Sequence, residues 1–292
     1  MELRTLRNFA AVVEEGGITA AAELLQVSQP ALSRQIKALE EELGVALLTR
    51  GNRSHALEPT EAGRLLYRRA IEIGELADRA AAEVAADEDV AGDVHIAGAQ
   101  SVVMRVVARA AVALRERHPR VRVHLHDDYG ANIVDRLDSG LADFGVLVQP
   151  TDMSRYDHLP LPGGDVMGVL MRHDHPLAAL TAVTADDLAG VPTIVPQGVL
   201  ARGDLSGWFG RRADAPDIVG TMNLMHNAAC FVQEGYGCAI GPAGLVDTSW
   251  ESQLTFRPLD PPMRTSLAIA WKRGQPLAPA AAAFLEELRP LV

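Results

Sequence analysis

Gln29, Ser33 and Lys37 stand four residues apart in this 292-residue chain, with Pro30 and Arg34 between them. In a helix that spacing puts all three side chains on one face and lets Pro30 and Arg34 border it. These residue types suit nucleic acid. Gln and Arg can make paired hydrogen bonds to the edges of adenine and guanine, Ser33 can meet a base or a phosphate, and Lys37 suits the sugar-phosphate backbone. Thr19 lies at the start of a preceding short helix, where a hydroxyl and an amide can meet a phosphate. Arg50 and Arg53 flank the Gly51-Asn52 pair and can follow the backbone or an adjacent minor groove. A second constellation is Gly98-Ala99-Gln100-Ser101, where a strand runs into a helix. Free amides and the Ser101 hydroxyl at that point can receive a carboxylate or another anion. Gln149, Gln197, Thr221 and Asn223 follow other predicted strand ends, and open α/β sheets bind ligands beyond the carboxyl ends of their strands.

The elements that must position these residues follow from the apolar spacing. Leu3, Leu6, Phe9 and Val13 predict a first helix ended by Gly16-Gly17, and 19–25 predicts a short alanine-rich second helix. Ser28-Gln29-Pro30 opens a third, whose Leu32, Ile36, Leu39 and Leu43 form one buried stripe opposite the polar face. Two helices joined by so short a turn make a helix-turn-helix. Residues 47–57 then read as a hairpin with a basic tip, a wing. Thr60 is expected to cap a long helix to about residue 86. On it Leu66, Ala70, Ile73, Ala77, Ala80 and Val84, spaced 4, 3, 4, 3, 4, predict a seam for self-association.

An acidic hinge, 86–92, separates that part from an α/β pattern. Strands are expected at 94–97, 121–126 and 144–148, alternating with helices at 101–117 and 132–140, which implies right-handed parallel crossovers. A second series has strands at 166–171, 193–195, 218–221 and 238–240 and a helix at 224–234. A strand at 265–271 and a helix at 280–288 close the chain.

The stretch from Leu6 to Arg50, with SQPALSRQI inside it, and the following Leu57-Glu-Pro-Thr-Glu-Ala-Gly63 closely resemble the N-terminal domain of LysR-type transcriptional regulators. From Gly92 onward the resemblance is one of architecture and spacing, carried by FGVLV at 144–148 after DSGLAD, and by EGYGCAIGP at 234–242. It implies an N-terminal all-α winged helix-turn-helix with a long linker helix, then an α/β two-lobed, periplasmic-binding-protein-like (type 2) effector domain. The expected bounds are 1–59 for the DNA-binding domain, 60–91 for the linker helix and hinge, and 92–292 for the effector domain. Lobe I would take 92–161 with 267–292, and lobe II 162–266. The resemblance also implies double-stranded operator DNA and a small-molecule effector as partners. Self-assembly to a homodimer or homotetramer follows from it too, and RNA polymerase is a further partner to consider. It places the effector between the lobes, where Gln100, Ser101, Gln149, Gln197, Thr221 and Asn223 are the candidates.

Composition is weighed against that reading. Hydrophobic residues make up 48% and charged residues 22%, a globular balance. No apolar run reaches the roughly 18 residues of a membrane span, and the first residues do not read as a secretory signal, so a cytoplasmic protein without membrane contact is expected. The net charge of −11 argues against DNA. Yet between residues 28 and 55 Arg34, Lys37, Arg50 and Arg53 face Glu40, Glu41 and Glu42, a local balance of 4 − 3 = +1. His124 and His126 beside Asp127 and Asp128 suggest surface or a subunit contact before a metal, and His173-Asp174-His175-Pro176 reads as a turn. Cys230 and Cys238 read as small hydrophobes. Neither a Ser-His-Asp arrangement nor paired carboxylates stand out. No catalytic residue, metal or cofactor is expected. The rival reading is a small-molecule-binding protein or metal-dependent hydrolase carried by 92–292, which the helix-turn-helix weighs against.

Overall fold

The structure is a computed structural model, and it describes residues 1–50, 57–84, 90–198, 208 and 217–292. It divides into two compact units, residues 1–85 and 86–292.

In the first unit α1 (Leu3–Glu14), α2 (Ile18–Leu24) and α3 (Gln29–Leu43) close around Phe9, Val12, Ala21, Leu32, Ile36, Leu39 and Leu47. Pro30 sits in the first turn of α3, where a missing amide costs nothing, and Gly44 ends the helix in the left-handed region at φ 70°. β1 (Leu48–Arg50) pairs antiparallel with β2 (Leu57–Pro59), Arg50 opposite Leu57. The wing tip at 51–56, Arg53 included, lies outside the described residues. The Thr60 hydroxyl accepts from Gly63 N at 3.0 Å and donates to Ala46 O at 2.8 Å, so it caps α4 (Glu61–Val84) and ties it to the wing.

The seam expected along α4 is divided. Leu66 and Ala70 pack with Leu6 and Ala10 of α1, Ala70 being 1% exposed. Leu65, Ile73 and Leu76 are 52%, 40% and 45% exposed. With Ala80 they share a face about 80° wide at 3.6 residues per turn. The physical reason is a neighbour: α1 covers Leu66 and Ala70 through Leu6 and Ala10 and leaves the adjoining face of α4 outside. Of the acidic hinge, residues 86–89 lie outside the described residues.

The second unit has two sheets. In the first, β4 (Val121–Asp127), β3 (Gly92–Gly98), β5 (Phe144–Val148), β13 (Leu267–Lys272) and β6 (Tyr156–Pro160) lie in that order. β3 runs parallel to β4 and β5, and β13 antiparallel to β5 and β6. α5 (Met104–Arg117) and α8 (Pro279–Leu288) cover one face through Val106, Ala110, Leu114, Phe144, Phe284 and Leu288. α6 (Gly130–Asp138) covers the other through Ile133 and Leu137.

The second sheet orders β11 (Leu254–Pro258), β7 (Asp165–Arg172), β10 (Cys238–Pro242), β8 (Pro192–Pro196) and β9 (Asp217–Met222), with β12 (Arg264–Thr265) also on β7. α7 (Met225–Gln233) buries Met225, Ala228, Ala229 and Val232 on this sheet.

Three details differ from the sequence expectations. The strand expected at 265–271 is two: Thr265 pairs with Asp165 in the second sheet, while Leu267 pairs with Val148 in the first. The chain thus crosses between lobes at Ser266. The helix expected from Ser101 begins at Met104, because 101–106 is tightened by i→i−3 bonds such as Met104 N to Ser101 O at 3.2 Å. Strands β6 and β11 form where polar and apolar residues mix and prolines close the run, and both are sheet edges.

Candidate functional site

On α3 Leu32, Ile36 and Leu39 are sealed, at most 3% exposed, whereas Leu43, expected in the same stripe, is 40% exposed at the helix end. Gln29, Pro30, Arg34 and Lys37 are exposed on the other side, and Ser33 is half-buried between them. Arg34 Nε donates to Pro30 O at 3.2 Å, which lays the guanidinium along the helix toward its N-terminus. Lys37 stands 3.6 Å from Glu41, a surface pair that is weak and easily exchanged for a phosphate. Thr19 is exposed at the second position of α2. Arg50 belongs to β1, and Arg53 lies outside the described residues.

The run Glu40-Glu41-Glu42 does not oppose this face as bare charge. Glu40 Oε1 accepts from Leu47 N at 2.7 Å and from Leu48 N at 3.1 Å, holding the start of the wing against α3. Glu42 accepts from the N-terminal amine at 2.6 Å. Asn8, only 6% exposed, donates to Gln35 Oε1 at 2.6 Å and fixes α1 to α3. Sequence reasoning missed it, because Asn8 lies on the face of α1 away from Leu3, Leu6, Phe9 and Val13 and its partner belongs to α3.

In the second unit a cavity of about 110 Å³ opens between the two sheets. Gln100 and Asn223 line it, but so do Asp128, Tyr129, Ile133, Asp165, Met167, Met222 and Met225. Gln100 Oε1 accepts from Met225 N at 2.8 Å, joining the end of β3 to the start of α7. Ser101 is 6% exposed, and its hydroxyl donates to Asp165 Oδ1 at 2.9 Å. The same oxygen accepts from Val102 N at 3.2 Å, and Thr265 Oγ1 stands 3.4 Å from Oδ2. Burial pushes the Asp165 carboxyl above the usual carboxylate range, although the hydrogen bonds from Ser101, Val102 and Thr265 pull it back. The anion position read from the sequence at Ser101 is thus filled by the protein's own carboxylate.

The other candidates lie apart. Gln149 Nε2 donates to Leu147 O at 3.3 Å and its Oε1 accepts from Thr151 N at 3.2 Å, a turn-forming arrangement. Gln197 is exposed just beyond β8. Thr221 faces a separate hollow beside Phe231 and Tyr236, which Asn223 also borders. The signal for Asp165 was an acid heading an otherwise apolar strand, DVMGVLM.

His124 Nε2 lies 2.9 Å from Asp93 Oδ1, and the His95 ring stacks on His124 and His126 at 4.7 and 5.8 Å. Among the described residues no group of three or more His, Cys, Asp and Glu is arranged to hold a metal ion. No described helix is long and apolar enough to cross a membrane. Cys230 is exposed and Cys238 buried, its thiol pushed up to about 11 by burial.

A helix-turn-helix with its polar face open, joined in sequence to a two-lobed α/β domain with a cleft, defines a ligand-responsive DNA-binding regulator. Residues 3–64 match the model of the bacterial regulatory helix-turn-helix protein, lysR family, and residues 87–292 match the LysR substrate binding domain. The chain belongs to the LysR family of transcriptional regulators. It is 31% identical over 292 residues to the Hca operon transcriptional activator HcaR of Escherichia coli (strain K12), covering 98% of this chain and 96% of that protein. It is also 29% identical over 283 residues to the HTH-type transcriptional regulator BudR of Raoultella terrigena, covering 94% and 95%. The solved structure of CbnR, a LysR family transcriptional regulator, has the same fold at a TM-score of 0.76 and 24% identity, covering 100% of this chain and 99% of that one. Full-length CbnR complexed with its target DNA gives 0.72 at 24% identity, covering all of both chains. This chain is accordingly a DNA-binding transcriptional regulator with an effector-binding domain.

Proposed function

We propose that Gln29, Pro30, Ser33, Arg34 and Lys37 read an operator through the major groove, with Thr19 on a phosphate and Arg50 and Arg53 of the wing on the flanking backbone or minor groove. One observation carries this reading. The side of α3 that bears these residues is open while the opposite side is sealed into the core. The stripe Leu65, Ile73, Leu76 and Ala80 on α4 supports self-association into a homodimer or homotetramer. The working bounds are 1–59 for DNA binding, 60–91 for the linker and 92–292 for the effector domain. Lobe I takes 92–161 with 267–292, lobe II takes 162–266, and the effector sits between them. The protein acts in the cytoplasm as a switch and not as an enzyme, binding effector without turning it over.

The experiment is a gel-shift titration against genomic fragments recovered with the protein. Arg34→Ala removes one base-edge contact worth about 1–3 kcal/mol, so affinity should fall roughly 5- to 150-fold. Circular dichroism and oligomeric state should be unchanged. Equal affinity of variant and parent refutes the assignment of α3.

A further inference from the structure

Where the chain passes between the lobes, the protein seats its own carboxylate at the start of α5. Asp165, 2% exposed, engages Ser101 Oγ, Val102 N and Thr265 Oγ1. The donors that would otherwise greet an anionic ligand there are already in use. A second carboxylate, Asp128, borders the same cavity. Its Oδ1 accepts from Tyr129 N at 2.9 Å and Asn132 Nδ2 at 2.8 Å, while its Oδ2 has no partner among the described residues. Among the described residues no Lys, Arg or His lines the cavity. Its apolar wall is built from Ile133, Met167, Met222 and Met225. Thioether side chains of this kind adapt to flat, polarizable groups. At about 110 Å³ the cavity is of the order of one that holds a single benzene ring, roughly 150 Å³.

We propose that the cleft takes a ring-sized, largely apolar ligand bearing a hydrogen-bond-donating or cationic head in place of a carboxylate, the head seated on Asp128. This rests on the reading of the cleft as the effector site and adds the chemical class. A carboxylate entering the cavity would stand beside two like charges with no counter-charge from the described walls, an arrangement that penalises the ionised form. An ammonium, amide or hydroxyl head meets an acceptor that is already placed and desolvated on one side.

The test uses the full-length protein and three probes of one shape: benzylamine, benzamide and benzoate, titrated calorimetrically at a fixed ionic strength. Benzylamine and benzamide should bind the parent protein, and benzoate should bind at least tenfold more weakly. Asp128→Asn should weaken benzylamine at least fivefold. Asp165→Ala releases the Ser101 hydroxyl and Val102 amide, and should strengthen benzoate at least tenfold. Benzoate binding the parent as tightly as benzylamine overturns the proposal, and so does failure of all three to bind. If Asp165→Ala does not fold, the ranking on the parent and the Asp128→Asn result decide the matter. Asn223→Trp separates the two readings, because it fills the cavity mouth from an exposed position. Loss of binding in that variant with a reversed ranking overturns the ligand class alone. Undiminished binding overturns the cleft as the site as well.

Discussion

Gly63, the third residue of α4, offers a test of how the helix-turn-helix carries its wing. In an ordinary helix, Gly→Ala stabilises by about 1 kcal/mol through backbone entropy. Here the sign should reverse. A β-carbon at position 63 would overlap the carbonyl oxygen of Leu47 and press on Pro59 Cβ at 3.3 Å. Both neighbours belong to the wing or its root, and a backbone carbonyl cannot swing aside like a side-chain tip. The start of α4 must therefore retreat by on the order of 1 Å, since interiors are close-packed. That retreat strains three bonds: Thr60 N to Leu47 O at 2.9 Å, Thr60 Oγ1 to Ala46 O at 2.8 Å, and Gly63 N to Thr60 Oγ1 at 3.0 Å. At about 1 kcal/mol each, their loss costs about 3 kcal/mol, and the helix gain returns about 1. The net is about 2 kcal/mol, or roughly 8–16 °C in the melting of a unit of this size. Gly74→Ala is the internal control, because a β-carbon there meets nothing within 4 Å. The measurement is thermal unfolding of the full chain by circular dichroism, with hydrogen exchange of the peptide spanning 46–66 to assign the transition. If Gly63→Ala melts with or above the parent, the close approach of helix and wing is not what the geometry says it is.

Two further outcomes follow from named contacts. Glu40→Ala leaves the Leu47 and Leu48 amides without their acceptor, and with Leu47 only 1% exposed this should cost about 1–3 kcal/mol and weaken operator binding. Glu40→Gln retains an acceptor oxygen and should lie close to the parent; an unchanged gel shift and thermal melt in Glu40→Ala would show that the contact is idle. The raised Asp165 carboxyl stabilises the fold below its unfolded pKa, and that stabilisation is lost as pH rises through the folded value. Asp165→Asn should therefore melt at or above the parent at about pH 8 and converge with it near pH 4. A deficit that is the same at both pH values would contradict the buried charge.

The parts legible in the sequence were those decided within a few residues of themselves. The stripe of Leu32, Ile36 and Leu39 repeats at helical spacing, so α3 and its two faces could be read directly. Thr60 announced its own helix by preceding a regular apolar pattern. The parts that escaped depend on distant partners. Nothing local tells Thr265 and Leu267 to join different sheets; that is set by Asp165 on one side and Val148 on the other. Ser101 reads as an open helix start, yet its partner lies 64 residues away. On α4 the spacing suggested one seam, whereas α1 takes Leu66 and Ala70 and leaves Leu65, Ile73 and Leu76 outside. A pattern counts apolar residues, but it cannot divide them between two neighbours.

The position of β13 has a consequence for the order in which the protein can be made. This strand lies between β5 and β6, and the α8 that follows it adds Ala281, Phe284 and Leu288 to the core beneath. The ribosome has therefore released β3 to β6 well before the strand that joins β5 to β6 exists. At about 5–20 residues per second, the roughly one hundred residues between β6 and β13 keep that sheet open for about 5–20 s. Throughout that interval the facing edges of β5 and β6 lack their partner, while the whole of the other lobe is being completed. The last strand to be synthesised is the one that closes the first lobe, so a ribosome stalled before Leu267 leaves a nascent chain with two unpaired edges and part of its core missing.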